Sequence, residues 1–303
     1  MTGFSAAPPA HRPDLLTPAE VAGLGGLEVT TPGIVDGFLA GLHRSPRRGF
    51  SVEFAEHRSY QFGDEPRYVD WKLLARTDRL YVKQFEEETN LRAMMVVDAS
   101  ASMGWQGSSD RLTKLDYSRR LAAAIALVLL RQHDGVGLLT FDESVRELIP
   151  ARSRSSQWRV LAAKLAAVEP GHRTAAEPAL RQVVGVLRRR GLVVFLSDLL
   201  LDRDLTLKAL RFLRHRGNHV VVLHIADPAE LDLGRGDETR YRDPESDRAV
   251  TLAPSDWAEA YRETVNGVIR AWRMACRGSD IHYATITTDL PFGEALSRAL
   301  ARR

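Results

Sequence analysis

Cysteine and long apolar segments are what this sequence has least of. Its 303 residues include one cysteine, Cys276, which excludes an internal disulfide and a cysteine-based zinc site and fits a reducing cytoplasm. The longest apolar run, residues 121–130, is far shorter than the ~20 residues that span a bilayer. Residues 1–16 contain three prolines and no apolar core of the kind found in signal peptides. We therefore expect a cytoplasmic protein with no membrane span.

Several enzyme motifs and any strong excess of one charge are missing as well. There is no G-x-x-x-x-G-K-[ST] loop, so we do not expect the chain to hydrolyse ATP itself, and its nine histidines show no H-E-x-x-H or comparable zinc spacing. Lys and Arg number 42 against 39 Asp and Glu, and this net charge of +3 gives little support to a nucleic-acid partner. Hydrophobic residues make up 44%, which excludes a fully disordered or fibrous chain.

The clearest pattern that is present is an alternation of apolar strands and helices after residue 90. It predicts an α/β fold with a mostly parallel sheet flanked by helices. The expected strands lie at 92–97, 135–141, 192–196, 219–225 and 281–287, with a possible edge strand at 145–149. We predict three regions: a flexible lead-in with short helices at 1–45, a small β-rich subdomain at 46–90 with strands near 51–54 and 80–85, and the α/β domain at 91–303.

Oxygen-bearing side chains follow the first strand of the predicted sheet. Asp98, Ser100 and Ser102 are spaced two residues apart at the point where this strand must turn. Ligands of open α/β sheets bind outside the carboxyl ends of the strands, and a carboxylate with two hydroxyls suits Mg²⁺ or Mn²⁺. The alternative interpretation is a polar turn that caps the next helix.

Two later loops add similar groups. Asp198 follows the buried strand at 192–196, and Thr174 lies in the loop that precedes a predicted helix. In residue type and order, the set resembles the metal-ion-dependent adhesion site of von Willebrand factor A domains. The resemblance implies that the hydroxyls of Ser100, Ser102 and Thr174 contact the metal, while Asp98 and Asp198 act directly or through water. Such a site holds metal either at rest or once a partner carboxylate completes its shell.

A composite motif ahead of the α/β domain is similar to a known family. It contains Gly63-Asp64-Glu65-Pro66-Arg67, Asp70-Trp71 and the run from Leu80 to Glu88. The segment resembles the family called domain of unknown function 58, in which it precedes a von Willebrand A-like domain. This resemblance implies a MoxR-type AAA+ ATPase as the partner. The many charges of both signs between residues 58 and 88 predict an ion-pair network that fixes the β-rich subdomain against the α/β domain, a docking surface, or both.

The leading hypothesis is a non-enzymatic, metal-dependent protein-interaction module that serves as an adaptor for such an ATPase in a chaperone-like or assembly role. One alternative is a Mg²⁺-dependent hydrolase that uses the same strand-end carboxylates. The usual haloacid-dehalogenase pattern has a second aspartate where this chain has Ser100. Another alternative is RNA binding through the basic helices between Arg152 and Arg190, although nucleic acid is not the expected partner.

Overall fold

The computed structural model describes residues 31, 53–61, 64, 69–86, 91–154, 156–171, 176–187, 190–234, 238–242 and 249–300. The predicted lead-in and short helices at 1–45 lie outside the described residues, apart from residue 31. The predicted boundaries at 45/46 and 90/91 stay predictions. No helix in the described ranges has both the length and the apolar character needed to cross a membrane.

Among the described residues, the first sheet is two-stranded and antiparallel. Strand β1 (Glu53–Ser59) pairs with β2 (Tyr81–Glu86), so the two strands predicted near 51–54 and 80–85 are confirmed, the first of them shifted along the chain. Helix α1 (Trp71–Thr77) between them was not predicted. It begins after Asp70, whose carboxylate accepts two backbone N–H groups of the first helical turn.

The main sheet has six strands in the order β10-β7-β6-β3-β4-β5. All neighbouring pairs are parallel except β4 with β5, and β5 forms one edge of the sheet. This confirms the predicted α/β class and the edge strand. The strands are β3 (Arg92–Asp98), β4 (Gly135–Phe141), β5 (Val145–Arg152), β6 (Leu192–Ser197), β7 (His219–Ala226) and β10 (His282–Thr287). Between β7 and β10, strands β8 (Thr239–Arg242) and β9 (Ala249–Leu252) form a separate hairpin.

Helices cover both faces of the main sheet and bury a hydrophobic layer on each. The helices are α2 (Lys114–Arg131), α3 (Ser156–Ala166), α4 (Ala176–Val186), α5 (Arg203–His215), α6 (Pro228–Leu231), α7 (Pro254–Arg277) and α8 (Phe292–Leu300). Helices α2, α3 and α8 contribute to one layer, and α4, α5 and α7 to the other. Alternate residues of β3 serve the two layers, since Met95 and Val97 join the first and Val96 the second.

Helix α2 is the central helix of its layer. Every residue from Leu121 to Ala126 is buried, and four of these six are alanines, whose small side chains allow the helix to lie close to the sheet. The helix begins after Thr113, whose hydroxyl accepts the backbone N–H of Asp116. The helix packs against one face of the sheet. Its first residue, Lys114, lies at the edge where the strands end.

The strand order places the middle of the sheet at a change of winding direction. From β3 the chain proceeds outward through β4 and β5, and from β6 it proceeds outward the other way through β7 and β10. Such a switch point leaves a crevice beyond the carboxyl ends of the two central strands. Because Val97 lies opposite Leu196 in the parallel register, the residues that follow in each strand meet at this crevice.

Candidate functional site

Asp98 ends strand β3 in the crevice between β3 and β6. Its side chain is completely buried, and both carboxylate oxygens accept hydrogen bonds. The backbone N–H of Ser100 donates to Oδ1 at 2.9 Å, and the hydroxyl of Ser197 donates to Oδ2 at 2.6 Å. Burial, followed by the negative charge of Asp198, raises the pKa of Asp98 to about 7. Burial and the neighbouring carboxylate thus both disfavour the ionised form of Asp98.

The hydroxyls of Ser100 and Ser102 lie side by side in the same crevice. Their Oγ atoms are 3.1 Å apart, and both residues are buried. Ser100 precedes a 3₁₀ helix at Ala101–Gly104, yet its side chain makes no capping hydrogen bond, and the next α-helix is capped by Thr113. The interpretation of this segment as a helix-capping turn is therefore wrong for the Ser100 hydroxyl.

Asp198 follows strand β6 in a turn held by its own neighbours. Its Oδ1 accepts the backbone N–H of Leu200 at 3.2 Å, and the hydroxyl of Ser197 accepts that of Leu199 at 3.0 Å. Between them, Leu199 has φ of 56°, a left-handed backbone that side chains with a Cβ rarely adopt. Strain of this kind persists where the surroundings over-determine the backbone, and it concentrates at functional sites.

Lys114 is the strongest site residue that the sequence interpretation missed. Its side chain has no solvent exposure, and its Nζ donates to Oδ2 of Asp198 at 2.8 Å and also to Oε1 of Glu230. Burial lowers the pKa of Lys114, but the two carboxylates raise it more, so its pKa lies above the ordinary value. The signal available in the sequence was a lysine in the first turn of a helix, where the helix dipole disfavours a cation.

Asp227 lies at the end of a third strand, β7, and the sequence interpretation missed it as well. This buried residue follows β7, and its carboxylate accepts hydrogen bonds from the guanidinium of Arg111, the hydroxyl of Thr288 and two backbone N–H groups. It also caps α6, and in return its backbone N–H donates to Oε2 of Glu230 at 3.0 Å. Asp227 therefore fixes the position of Glu230, the second partner of Lys114.

Thr174 lies outside the described residues, and its predicted place beside Ser100 and Ser102 stays a prediction. The loop that leads to it begins against the crevice, because the N–H of Gly171 donates to the carbonyl of Ala99 at 2.6 Å. A Cβ on Gly171 would lie 2.2 Å from Oδ2 of Asp142, so a larger residue at this position would displace the Asp142 side chain.

Two apolar side chains are exposed beside these polar groups. Leu200, two residues after Asp198, is 63% exposed, and Trp105, whose ring centroid is 5.9 Å from Nζ of Lys114, is 36% exposed. These two side chains place apolar surface next to the polar groups of the crevice.

The donor set of the crevice matches a hard divalent cation. Asp98, Asp198, Ser100 and Ser102 offer carboxylate and hydroxyl oxygens, which Mg²⁺ and Mn²⁺ prefer. Within the described ranges, no group of three or more His, Cys, Asp or Glu side chains is arranged to hold a metal, so a cation here would depend on the serine hydroxyls. The opposing feature is the ammonium of Lys114, which already neutralises Asp198.

Comparison with known proteins identifies relatives over most of the chain. A family model described as "Protein of unknown function DUF58" matches residues 56–270. The "Uncharacterized protein Rv1480" of Mycobacterium tuberculosis is 29% identical over 245 residues, which cover 79% of this chain and 75% of that protein.

Solved structures with a similar arrangement include the conserved hypothetical protein BatB from Bacteroides thetaiotaomicron. It has a TM-score of 0.45 and 16% identity, covering 69% of this chain and 97% of that one. The SpRpn10 VWA domain has a TM-score of 0.40 and 12% identity, covering 69% of this chain and 94% of that one.

Proposed function

The chain belongs to the DUF58 family, and from that premise we propose that it is a non-enzymatic protein-interaction module whose strand-end oxygens bind Mg²⁺ or Mn²⁺. One observation carries the proposal. The buried carboxylates of Asp98 and Asp198 and the buried hydroxyls of Ser100 and Ser102 come together at the switch point of the sheet, where ligands of such sheets bind.

In this proposal the metal is held by Ser100 and Ser102, with Asp98 and Asp198 contributing directly or through water. Thr174 would add a further hydroxyl. When bound, the metal supplies a positive charge, and a carboxylate of a partner protein can complete its coordination shell. The exposed Leu200 supports contact with a protein, because it places apolar surface beside the polar centre.

The proposed partner is a MoxR-type AAA+ ATPase, with this chain as its adaptor in a chaperone-like or assembly role. The partner and the cytoplasmic location both rest on the family resemblance and the composition of the sequence. An ATPase partner fits a chain that carries no phosphate-binding loop of its own, since the energy of nucleotide hydrolysis would then come from the other protein.

The test measures binding of the purified MoxR-type ATPase from the same organism to the wild-type chain, Asp98→Ala and Ser100→Ala. Magnesium is kept in every sample, because a chelator would also remove Mg²⁺ from the nucleotide that the ATPase binds. We expect each substitution to weaken binding by about tenfold or more, because loss of a ligand or of its support typically costs that much in metal affinity.

The matched control is Asp204→Ala, which removes a carboxylate that is 88% exposed on α5. Circular dichroism and the thermal midpoint of each variant verify the fold. Binding that is unchanged in Asp98→Ala and Ser100→Ala contradicts the metal-bridged mechanism, whereas loss of binding in Asp204→Ala as well would point to a different surface.

The hydrolase alternative requires Asp98 as an attacking or acid group. Both oxygens of this carboxylate accept hydrogen bonds, and the residue has no solvent exposure, which leaves it poorly placed to reach a substrate. Turnover of a generic phosphoester that disappears in Asp98→Asn would favour the hydrolase instead.

The RNA-binding alternative gains no site from the described residues. In the basic stretch, Lys164 pairs with Glu147, and Arg173 and Arg188 lie outside the described ranges. Binding to RNA that falls steeply with added salt would revive this alternative.

A further inference from the structure

Lys114 brings a permanent positive charge into the candidate site. A lysine is almost never fully buried unless it is paired, and at the first position of α2 it also faces the unfavourable end of the helix dipole. Both costs are offset by two carboxylates, Asp198 and Glu230, which the ammonium contacts together. A neutral side chain of similar size would avoid these costs, so the charge itself is what the site requires.

The need for that charge follows from the acids around it. Asp98 and Asp198 lie close enough for Asp198 to disfavour the ionised form of Asp98, and Glu230 adds a further carboxylate on the other side of Lys114. Without a cation, the crevice would hold these carboxylates in a poorly solvated place, where mutual repulsion is strong. Lys114 supplies the missing charge to one of the two aspartates that the proposed metal site uses.

We infer that Lys114 is a built-in counter-cation of this site: its ammonium neutralises Asp198 when no metal is present and competes with a divalent ion for that carboxylate. The inference rests on the proposed metal-binding function and adds that Lys114 regulates the affinity of the site for the metal. The chain would then be stable without metal but bind Mg²⁺ or Mn²⁺ more weakly than the same site with a neutral residue at position 114.

Glu230 gives the ammonium of Lys114 a second carboxylate partner. Its Oε1 already contacts Nζ of Lys114, and its Oε2 is anchored by the backbone N–H of Asp227 at 3.0 Å. When a divalent ion takes Asp198, Lys114 can keep its charge paired by staying with Glu230. Removing the charge of Glu230 should therefore hold the ammonium more firmly on Asp198 and weaken metal binding.

The experiment measures Mn²⁺ binding by titration with electron paramagnetic resonance, and the thermal midpoint in EDTA and in Mn²⁺, for the wild-type chain, Lys114→Met and Glu230→Gln. Lys114→Met should bind Mn²⁺ at least about tenfold more tightly, because the repulsion between the ammonium and the dication is gone. Its midpoint should fall in EDTA and recover in Mn²⁺ by more than that of the wild type. Glu230→Gln should bind Mn²⁺ more weakly than the wild type.

Lys164→Met is the matched control, since Lys164 also pairs with a glutamate but is half exposed on α3. It should change neither Mn²⁺ affinity nor the response of the midpoint to Mn²⁺. Opposite shifts in Lys114→Met and Glu230→Gln separate a competing counter-cation from an ordinary structural ion pair, which predicts equal loss of stability with and without metal.

An unchanged Mn²⁺ affinity in Lys114→Met, with the same loss of midpoint in EDTA and Mn²⁺, overturns the inference. If Lys114→Met is unfolded in both conditions, Glu230→Gln decides, and an affinity equal to or tighter than that of the wild type overturns it. Failure of the proposed function has another signature: ATPase binding survives Asp98→Ala while Lys114→Met still gains Mn²⁺ affinity. If neither the wild type nor Lys114→Met binds Mn²⁺, both proposals fall.

Discussion

Two groups of charged side chains in this protein have the same chemistry and opposite surroundings. At the strand ends of the main sheet, the pair of Lys114 and Asp198 is 0% and 3% exposed. In the small antiparallel sheet, Arg58 donates to both oxygens of Asp64 at 2.8 and 2.9 Å, but the two side chains are 34% and 22% exposed. Water screens the second pair and not the first, so good geometry alone does not determine what a charged contact contributes.

The comparison also bears on the mixed charges ahead of the α/β domain. They were predicted to fix the small subdomain against the larger one or to form a docking surface. The ion pair described there joins Arg58 to Asp64, six residues away in the same segment, and Asp70 caps the adjacent helix. These contacts organise the segment locally. The fixing of the subdomain against the α/β domain and the docking role both stay predictions.

The largest stability effect is expected at Asp227, the most heavily bonded carboxylate of the strand-end group. Asp227→Ala should lower the free energy of unfolding by about 3 kcal/mol, because it leaves the Thr288 hydroxyl and two backbone N–H groups without their acceptor and Arg111 without its counter-charge. Urea unfolding followed by circular dichroism measures this loss. A change as small as that of an exposed aspartate would contradict the assignment.

A smaller effect is expected at Ser197, whose hydroxyl links Asp98 to the turn after β6. Ser197→Ala should cost about 2 kcal/mol, since it removes one hydrogen bond to a buried carboxylate and one acceptor for the Leu199 N–H. Ser118→Ala is the matched control, because Ser118 is also buried but its hydroxyl finds no hydrogen-bond partner among the described residues. Equal urea midpoints for the two variants would contradict the role given to Ser197.

The smallest effect is expected in the exposed pair. Asp64→Asn should leave the urea midpoint within measurement error, even though the Gln61 N–H and the Arg58 guanidinium lower the pKa of Asp64. Added salt should likewise change the difference in urea midpoint between the wild-type chain and Asp64→Asn very little. A loss comparable to that of Ser197→Ala would show that exposure is a poor guide to these contacts.

Much of the fold followed from local patterns in the sequence. The strand predicted at 92–97 is β3, and α2 is one of the helices of the predicted strand–helix alternation, because long apolar runs of strand or helix length leave few alternatives. Helix α8 was missed although Phe292, Ala295, Leu296 and Ala299 are buried at helical spacing. The short hairpin of β8 and β9 has mostly exposed residues and offered little periodicity to detect.

The candidate site was harder to predict, because its contacts join distant parts of the chain. Asp98, Ser100 and Ser102 could be found from their spacing, and Asp198 from its place after a strand. The pairing of Lys114 with Asp198 crosses 84 residues, so no local pattern contains it. Cys276 is buried in the core, where burial raises the pKa of its thiol to about 11.

The central pairing of β3 with β6 also determines when the site can form during synthesis. The hydrogen bond from Ser197 to Asp98 joins residues 99 positions apart, and the first half of the sheet is complete before β6 is made. Domains generally fold as units, and contacts between residues far apart in the chain form late. A nascent chain that ends before residue 190 would thus expose the β3 edge and the Asp98 carboxylate together. Until β6 emerges, that edge is open to incorrect pairing.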